Sequence, residues 1–89
     1  MVTIKEKITS GARIIDVRSP GEFRDGAYPG AVNIPLATLA ARMMELEPKD
    51  KPIVVYCASG ARSGQAARIR KPAGFSDVVN AGGLADMPR

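Results

Sequence analysis

The sequence predicts one small α/β domain with a mostly parallel sheet and helices on both faces. Apolar runs typical of strands alternate along the chain with segments of helical composition, and that order is typical of parallel sheets. The strongest run, residues 53–56 (Ile-Val-Val-Tyr), is β-branched and lies between Pro52 and a glycine-containing turn. The 89 residues are enough for one domain over 1–89 and leave no room for a second.

Two short helices are predicted near the start of the chain by their capping residues. Thr3 and Glu6 have the spacing of a capping box, so we expect a helix over residues 4–10. Ser19 and Glu22 repeat this spacing, with a proline at the first helical position between them. Glycine and proline follow soon afterwards, so this second helix must also be short.

The remaining elements follow from apolar spacing. They are predicted strands over 13–17, 31–34 and 78–79, and predicted helices over 36–46 and 65–70. Within the third helix, Met43 and Met44 are expected to fill the core. Asp16 stands at the C-terminal end of the first strand, where α/β folds place functional residues.

Charge and hydropathy exclude several kinds of partner. Thirteen Lys and Arg against nine Asp and Glu give a formal charge of +4, which suits a small anionic substrate. The basic residues are scattered and the aromatic residues are two Tyr and two Phe, so we predict no binding of nucleic acid. No apolar run approaches the ~20 residues that span a bilayer, so we expect a soluble protein without a membrane partner. We expect it in the cytoplasm, or in the periplasm if a leader was removed.

The counts of cysteine and histidine limit the chemistry. Cys57 is the only cysteine, and the chain has no histidine. An intramolecular disulfide, a Cys-His or Ser-His pair and a histidine-ligated metal site are therefore excluded. We predict no metal and no cofactor, and any reaction at Cys57 must proceed without imidazole.

Cys57 directly follows the strongest predicted strand. Between it and the next predicted helix lie Ala58, Ser59, Gly60, Ala61, Arg62 and Ser63. A tight strand-to-helix turn directs backbone N–H groups inward and adds the positive end of the helix dipole, and Arg62 adds a full charge. Such surroundings lower the pKa of a thiol well below ~8.5. A lone cysteine is often an inert core residue, but this combination favours a functional thiolate.

Two reactions suit a thiolate without a base in an anion-binding loop. One is sulfur transfer, in which the thiolate takes the outer sulfur of an anionic donor and holds it as a persulfide. The other is phosphoryl transfer through a phosphocysteine, which usually also needs an acid for the leaving oxygen. The residues by themselves leave both open.

Several segments resemble the rhodanese family of sulfurtransferases. Residues 57–63 (Cys-Ala-Ser-Gly-Ala-Arg-Ser) are similar to its active loop, and residues 16–18 (Asp-Val-Arg) and 30–35 to two further recurrent stretches. Residues 80–84 are similar to its closing strand and turn. The resemblance runs from about residue 14 to residue 87 and is strongest to single-domain members of the phage-shock-protein-E type.

The resemblance implies a three-layer rhodanese fold and a thiosulfate sulfurtransferase. Such an enzyme moves sulfane sulfur from thiosulfate or a persulfide donor, through a persulfide on Cys57, to cyanide or a thiol such as that of a thioredoxin-like protein. Residues 58–63 would bind the substrate. Asp16 would either support that loop by hydrogen bonds or only cap the following turn.

The length of the active loop bears on the choice of reaction. Four residues separate Cys57 from Arg62, whereas related phosphatases and arsenate reductases have one more. The resemblance therefore favours sulfur transfer over a small cysteine phosphatase or arsenate reductase. A persulfide carrier that only exchanges sulfur with partner proteins remains the main alternative.

Further expectations concern structure more than chemistry. We expect an ion pair between Arg18 and Glu22, and a glycine turn at residues 82–83 that either approaches the active loop or is an ordinary turn. Ala27 replaces a histidine that the family usually has, and Pro72 lies near the end of the predicted helix over 65–70.

Overall fold

The computed structural model describes residues 3–46, 51–57 and 77–88. Three predictions lie outside these residues: the helix over 65–70, the loop over 58–63 and the effect of Pro72. Strands, helices and apolar clusters are counted within these ranges.

Four strands form a parallel sheet. They are β1 (Arg13–Asp16), β2 (Val32–Asn33), β3 (Ile53–Cys57) and β4 (Val78–Gly83). Their order is β2-β1-β3-β4, and every neighbouring pair is parallel. The carboxyl end of β3 therefore lies between those of β1 and β4. The predicted parallel sheet is confirmed, with β4 longer than expected.

Three α-helices and two 3-10 turns complete the described chain. They are α1 (Ile4–Thr9), α2 (Pro20–Asp25), α3 (Leu36–Arg42) and the 3-10 turns Met43–Leu46 and Leu84–Asp86. Both predicted capping boxes are present, and the backbone N–H of Glu6 donates to Thr3 Oγ1 at 3.1 Å. No helix in the described ranges is long and apolar enough to cross a membrane.

Each face of the sheet carries its own apolar cluster. The cluster on the α3 side contains Ile15, Val17, Ile34, Leu39, Ile53, Val55, Cys57 and Val78. The cluster on the opposite side contains Ile14, Val54, Tyr56, Ala81 and Met87. Ile4 and Ile8, one helical turn apart, pack α1 against this second cluster. Helices thus cover both faces, which confirms the predicted three-layer arrangement.

The third helix differs from the prediction. It ends as an α-helix at Arg42 and tightens into a 3-10 turn, whose Glu45 carbonyl accepts a hydrogen bond from Arg13 Nη1 at 3.0 Å. The change from 3.6 to about 3 residues per turn rotates the following side chains away from the apolar stripe. Met44 is 79% exposed, so its predicted core position is wrong. The side chain of Met43 lies outside the description.

Candidate active site

Cys57 is the last residue of β3, and its side chain is fully buried. It belongs to the apolar cluster on the α3 side of the sheet. Opposite Cys57 stands Gly83, and the pairing of β3 with β4 shifts register between Val55 and Cys57. The cysteine thus lies at the carboxyl end of a central strand, the edge at which α/β sheets bind ligands.

Asp16 ends the neighbouring strand β1 and is fully buried. Its Oδ1 accepts the backbone N–H of Arg18 at 2.8 Å, which closes the turn after the strand. Nε and Nη2 of Arg18 also donate to the carboxylate and form a bidentate ion pair, in which Nη2 lies 2.7 Å from Oδ2. The capping role considered for Asp16 is thereby confirmed.

Arg18 has a different partner from the one predicted. Its guanidinium binds Asp16, and Nη2 also donates to the carbonyl of Gly26 at 2.7 Å. The Glu22 carboxylate instead accepts the backbone N–H of Ser19 at 3.1 Å in the capping box of α2. The predicted ion pair between Arg18 and Glu22 is therefore wrong, because a carboxylate two residues before Arg18 is buried beside it.

Tyr56 stands next to this ion pair and is fully buried. The guanidinium of Arg18 lies over its ring, with 5.6 Å between the guanidinium carbon and the ring centroid. The hydroxyl oxygen accepts the backbone N–H of Tyr28 at 3.0 Å. Burial raises the pKa of Tyr56, although this hydrogen bond opposes the rise, so the ring stays a neutral phenol at neutral pH. Nothing in the sequence pattern pointed to this contact.

Side-chain alternation separates Asp16 from Cys57. Asp16 is in register with Tyr56, and paired residues of parallel strands project to the same face. Tyr56 belongs to the cluster on the α1 side, whereas Cys57 belongs to the cluster on the α3 side. The structure thus brings the ends of β1 and β3 together while it directs these two predicted side chains to opposite faces.

Gly82 and Gly83, predicted as a glycine turn, are instead the last two residues of β4, and two polar side chains stabilise this end of the strand beside Cys57. Gly82 adopts a φ of +93°, and its N–H donates to Asn80 Oδ1 at 2.8 Å. The N–H of Gly83, which pairs with Cys57, donates to Asp86 Oδ2 at 2.9 Å. Asp86 was not among the predicted residues, and Asn80 entered only through the family resemblance of residues 80–84. An Asn two residues before a glycine is nevertheless a recognisable turn pattern.

Gly82→Ala is expected to destabilise the fold. A β-carbon at this position would lie 2.8 Å from Asp86 Oδ2, and the positive φ is unfavourable for alanine. We expect a loss of about 1–3 kcal/mol in the free energy of unfolding, measured by urea denaturation. Gly21→Ala is the matched control, since its β-carbon would meet nothing within 4 Å in helix α2. That variant should be neutral or slightly stabilising, and equal losses would contradict the explanation.

An apolar cavity of about 510 Å³ lies on the α1 side of the sheet, away from the Cys57 side chain. Ile8, Tyr28, Leu84 and Met87 are among its lining residues. The Tyr28 hydroxyl donates to the carbonyl of Pro88 at 2.7 Å. The described residues that line the cavity include no thiol, carboxylate or cation. Among the described residues, no group of His, Cys, Asp and Glu side chains is arranged to hold a metal ion.

Known proteins resemble this chain in sequence and in structure. The family model for the rhodanese-like domain matches residues 2–86. A sulfurtransferase of Allochromatium vinosum is 39% identical over 72 residues, which are 81% of this chain and 66% of that protein. The thiosulfate sulfurtransferase PspE of Escherichia coli is 42% identical over 74 residues, covering 82% of this chain and 71% of PspE.

The three-dimensional similarity agrees with the sequence similarity. A solved structure of a rhodanese with anions from E. coli superposes with a TM-score of 0.81 at 40% identity, covering 86% of this chain and 92% of that one. The family model spans nearly the whole chain, and the parallel sheet with helices on both faces is the arrangement that the resemblance implied. The chain therefore belongs to the rhodanese family of sulfurtransferases.

Proposed function

We propose that the protein transfers sulfane sulfur through a persulfide on Cys57, with thiosulfate as a donor. In the first step the Cys57 thiolate attacks the outer sulfur of thiosulfate. A sulfur–sulfur bond forms on Cys57, the one within thiosulfate breaks, and sulfite leaves with the electron pair. No proton needs to move, in keeping with a chain that has no histidine to act as a base.

In the second step an acceptor removes the outer sulfur. Cyanide or a thiolate attacks this sulfur, the bond to Sγ breaks, and Cys57 returns as a thiolate. With cyanide the product is thiocyanate. With a thiol, whether a small molecule or a thioredoxin-like protein, the product is a new persulfide. Both steps transfer a sulfur atom between two anions, so the site must stabilise negative charge throughout.

One observation carries the proposal: the only cysteine of a rhodanese-family chain ends a central parallel strand. Residues directly after such a strand line the edge at which α/β sheets bind ligands. We infer that Ala58, Ser59, Gly60, Ala61, Arg62 and Ser63 bind the donor, with backbone N–H groups and the Arg62 guanidinium facing its negative charge. The solved E. coli relative, a rhodanese with anions, supports an anion-binding role.

Asp16 supports this site indirectly. Its carboxylate is bound by Arg18, and its side chain faces away from that of Cys57. We infer that Asp16 fixes the carboxyl end of β1. Cys57 lies beside this end, at the end of β3. We infer no direct contact between this carboxylate and the transferred sulfur.

Intact-mass analysis after incubation with thiosulfate tests the proposal. We expect the folded protein to gain ~32 Da, and cyanide or excess thiol to remove the added mass with release of thiocyanate or a persulfide. Peptide mapping should place the added sulfur on Cys57. A protein that binds thiosulfate but never gains sulfur would refute the persulfide mechanism.

Three further assays separate the enzyme from the two alternatives. Slow loading by thiosulfate together with rapid loading by a persulfide-bearing desulfurase would identify a carrier that exchanges sulfur with proteins. Hydrolysis of a phosphate ester, with no gain of sulfur, would instead indicate a cysteine phosphatase. Repeated turnover of thiosulfate and cyanide, with thiocyanate formed in excess of protein, is the result expected here.

A further inference from the structure

The residue that precedes Cys57 is attached to a distant segment through its side chain. Tyr56 is fully buried, and its hydroxyl oxygen accepts the backbone N–H of Tyr28 at 3.0 Å. Tyr28 lies between α2 and β2, so the bond joins the end of β3 to a loop 28 residues earlier in the chain. Tyr28 is half-buried and the acceptor is fully buried, so loss of the hydroxyl would leave this N–H facing an apolar ring edge without its partner.

A second contact holds the same ring. The Arg18 guanidinium lies over the ring of Tyr56, and it is itself immobilised by Asp16 and by the Gly26 carbonyl. Arg18 is 7% exposed and Asp16 is fully buried, so neither group is free to follow the ring if it moves. The phenol is therefore held at its face by a fixed cation and at its oxygen by a fixed N–H.

The backbone around Cys57 pairs with β4 less regularly than the rest of β3 does. Along residues 53–55 the strand pairs regularly with β4, but the register shifts before Cys57 meets Gly83. On the other side, the N–H of Val17 donates to the Tyr56 carbonyl at 3.1 Å. Irregular backbone pairing restrains the end of a strand less than regular pairing does. The side-chain contacts of Tyr56 therefore add restraint at this end of β3.

We propose that the Tyr56 hydroxyl is a positioning group for Cys57, acting through its hydrogen bond with the Tyr28 N–H. Tyr56 and Cys57 are consecutive and project to opposite faces, so Tyr56 never touches the substrate. Its effect is on where the sulfur lies relative to the charged and dipolar groups that stabilise it. This inference rests on the proposed role of Cys57 as the sulfur-carrying residue.

A positioning role matters here because fixed dipoles stabilise an anion only at the right distance. A displacement of about 1 Å is enough to weaken such stabilisation severely. If Tyr56 loses its hydrogen bond with the Tyr28 N–H, the Cys57 thiolate moves relative to these groups and the pKa of the thiol rises. The consequence is a change in the pH dependence of thiol reactivity, which a loss of global stability alone does not produce.

The test compares Tyr56→Phe with Tyr28→Phe. Both remove one tyrosine hydroxyl, but only the first removes the acceptor of the Tyr28 N–H, since the second keeps that N–H and loses a bond to Pro88. The rate of alkylation of Cys57 by iodoacetamide is measured against pH, well below the unfolding temperature. We expect Tyr56→Phe to raise the pKa of the thiol by about 0.5 to 1 and to slow sulfur transfer about five- to tenfold.

Each outcome of this comparison decides the matter. A change in Tyr56→Phe with a profile like wild type in Tyr28→Phe supports the proposal. A wild-type profile and transfer rate in Tyr56→Phe overturn it, and so do equal changes in the two variants. Iodoacetamide needs only the thiol, so a wild-type protein that takes up no sulfur would refute the proposed function while this comparison still stands.

Hydrogen exchange provides a second measurement if Tyr56→Phe does not fold. In the wild-type protein, the Tyr28 amide should exchange with deuterium as slowly as the amides of the central strands, because its acceptor is buried. If this amide exchanges as fast as those of exposed turns, the hydrogen bond between Tyr28 and Tyr56 does not persist in solution, and the proposal is overturned.

Discussion

Cys57→Ser is expected to abolish the gain of sulfur and to lower thiosulfate:cyanide transfer by at least about a thousandfold. A serine hydroxyl is not ionised at neutral pH and cannot form a persulfide, so neither step of the proposed reaction is available. The fold should survive, because Cys57 packs in an apolar cluster and serine is of similar size. A stability loss of about 1–3 kcal/mol is expected from the buried hydroxyl, measured by urea denaturation.

Met44→Leu is the control for the loss of a sulfur atom. Met44 is 79% exposed, and its thioether has no part in the proposed reaction. This variant should gain ~32 Da from thiosulfate as the wild type does. Sulfur uptake by Cys57→Ser above the level of an unrelated protein would refute the assignment, since the chain contains no other cysteine.

Asp16→Ala is expected to have the largest effect on stability. The change leaves the guanidinium of Arg18, 7% exposed, without its carboxylate partner, and it also opens the turn that Asp16 closes. Removal of one member of a buried ion pair typically costs about 3–5 kcal/mol. For a domain of this size the loss corresponds to a fall of at least about 12 °C in Tm, measured by circular dichroism.

Glu45→Ala is the matched control for Asp16→Ala. Arg42 and Glu45 form an ion pair of similar length, 2.9 Å against 2.7 Å, but their side chains are 39% and 54% exposed. Water and salt screen such a pair, so Tm should stay within about 2 °C of wild type. Equal losses in the two variants would show that burial is not the deciding factor.

A double variant keeps the prediction for Asp16 testable if the single variant unfolds. Asp16→Ala combined with Arg18→Met removes both charges and retains the length of the second side chain. It should recover much of the lost stability, because no unpaired charge remains buried. A double variant as unstable as Asp16→Ala alone would indicate that the closed turn, and not the charge, accounts for the loss.

Local patterns predicted the elements whose causes are local. The capping boxes of α1 and α2 form because Thr3 and Ser19 lie three residues before a glutamate, which satisfies free N–H groups without any tertiary contact. The β-branched run before Cys57 predicted β3 for a similar reason, since such residues suit a buried strand. The 3-10 turn after α3 was missed because Glu45 is held there by Arg13, 32 residues away.

Contacts that depend on burial and strand pairing were not predicted from the sequence. Arg18 was expected to pair with Glu22 because both are charged and close in sequence. It pairs instead with Asp16, whose carboxylate is buried beside it. The bond between Tyr28 and Tyr56 joins the loop before β2 to the central strand β3 and has no sequence pattern. Asn80 and Asp86 stabilise the end of β4 opposite Cys57 by accepting backbone N–H groups, whose positions depend on the strand pairing.

The amino-acid sequence by itself determined the alternation of strands and helices, the lone cysteine after the strongest strand and the absence of imidazole. These features depend on residue type and on spacing within one segment, so neighbouring residues are enough to reveal them. Only the tertiary structure decided that Asp16 and Tyr56 face one side of the sheet and Cys57 the other, and which groups bind them. Such choices depend on strand register and burial, which bring together residues that the chain order keeps apart.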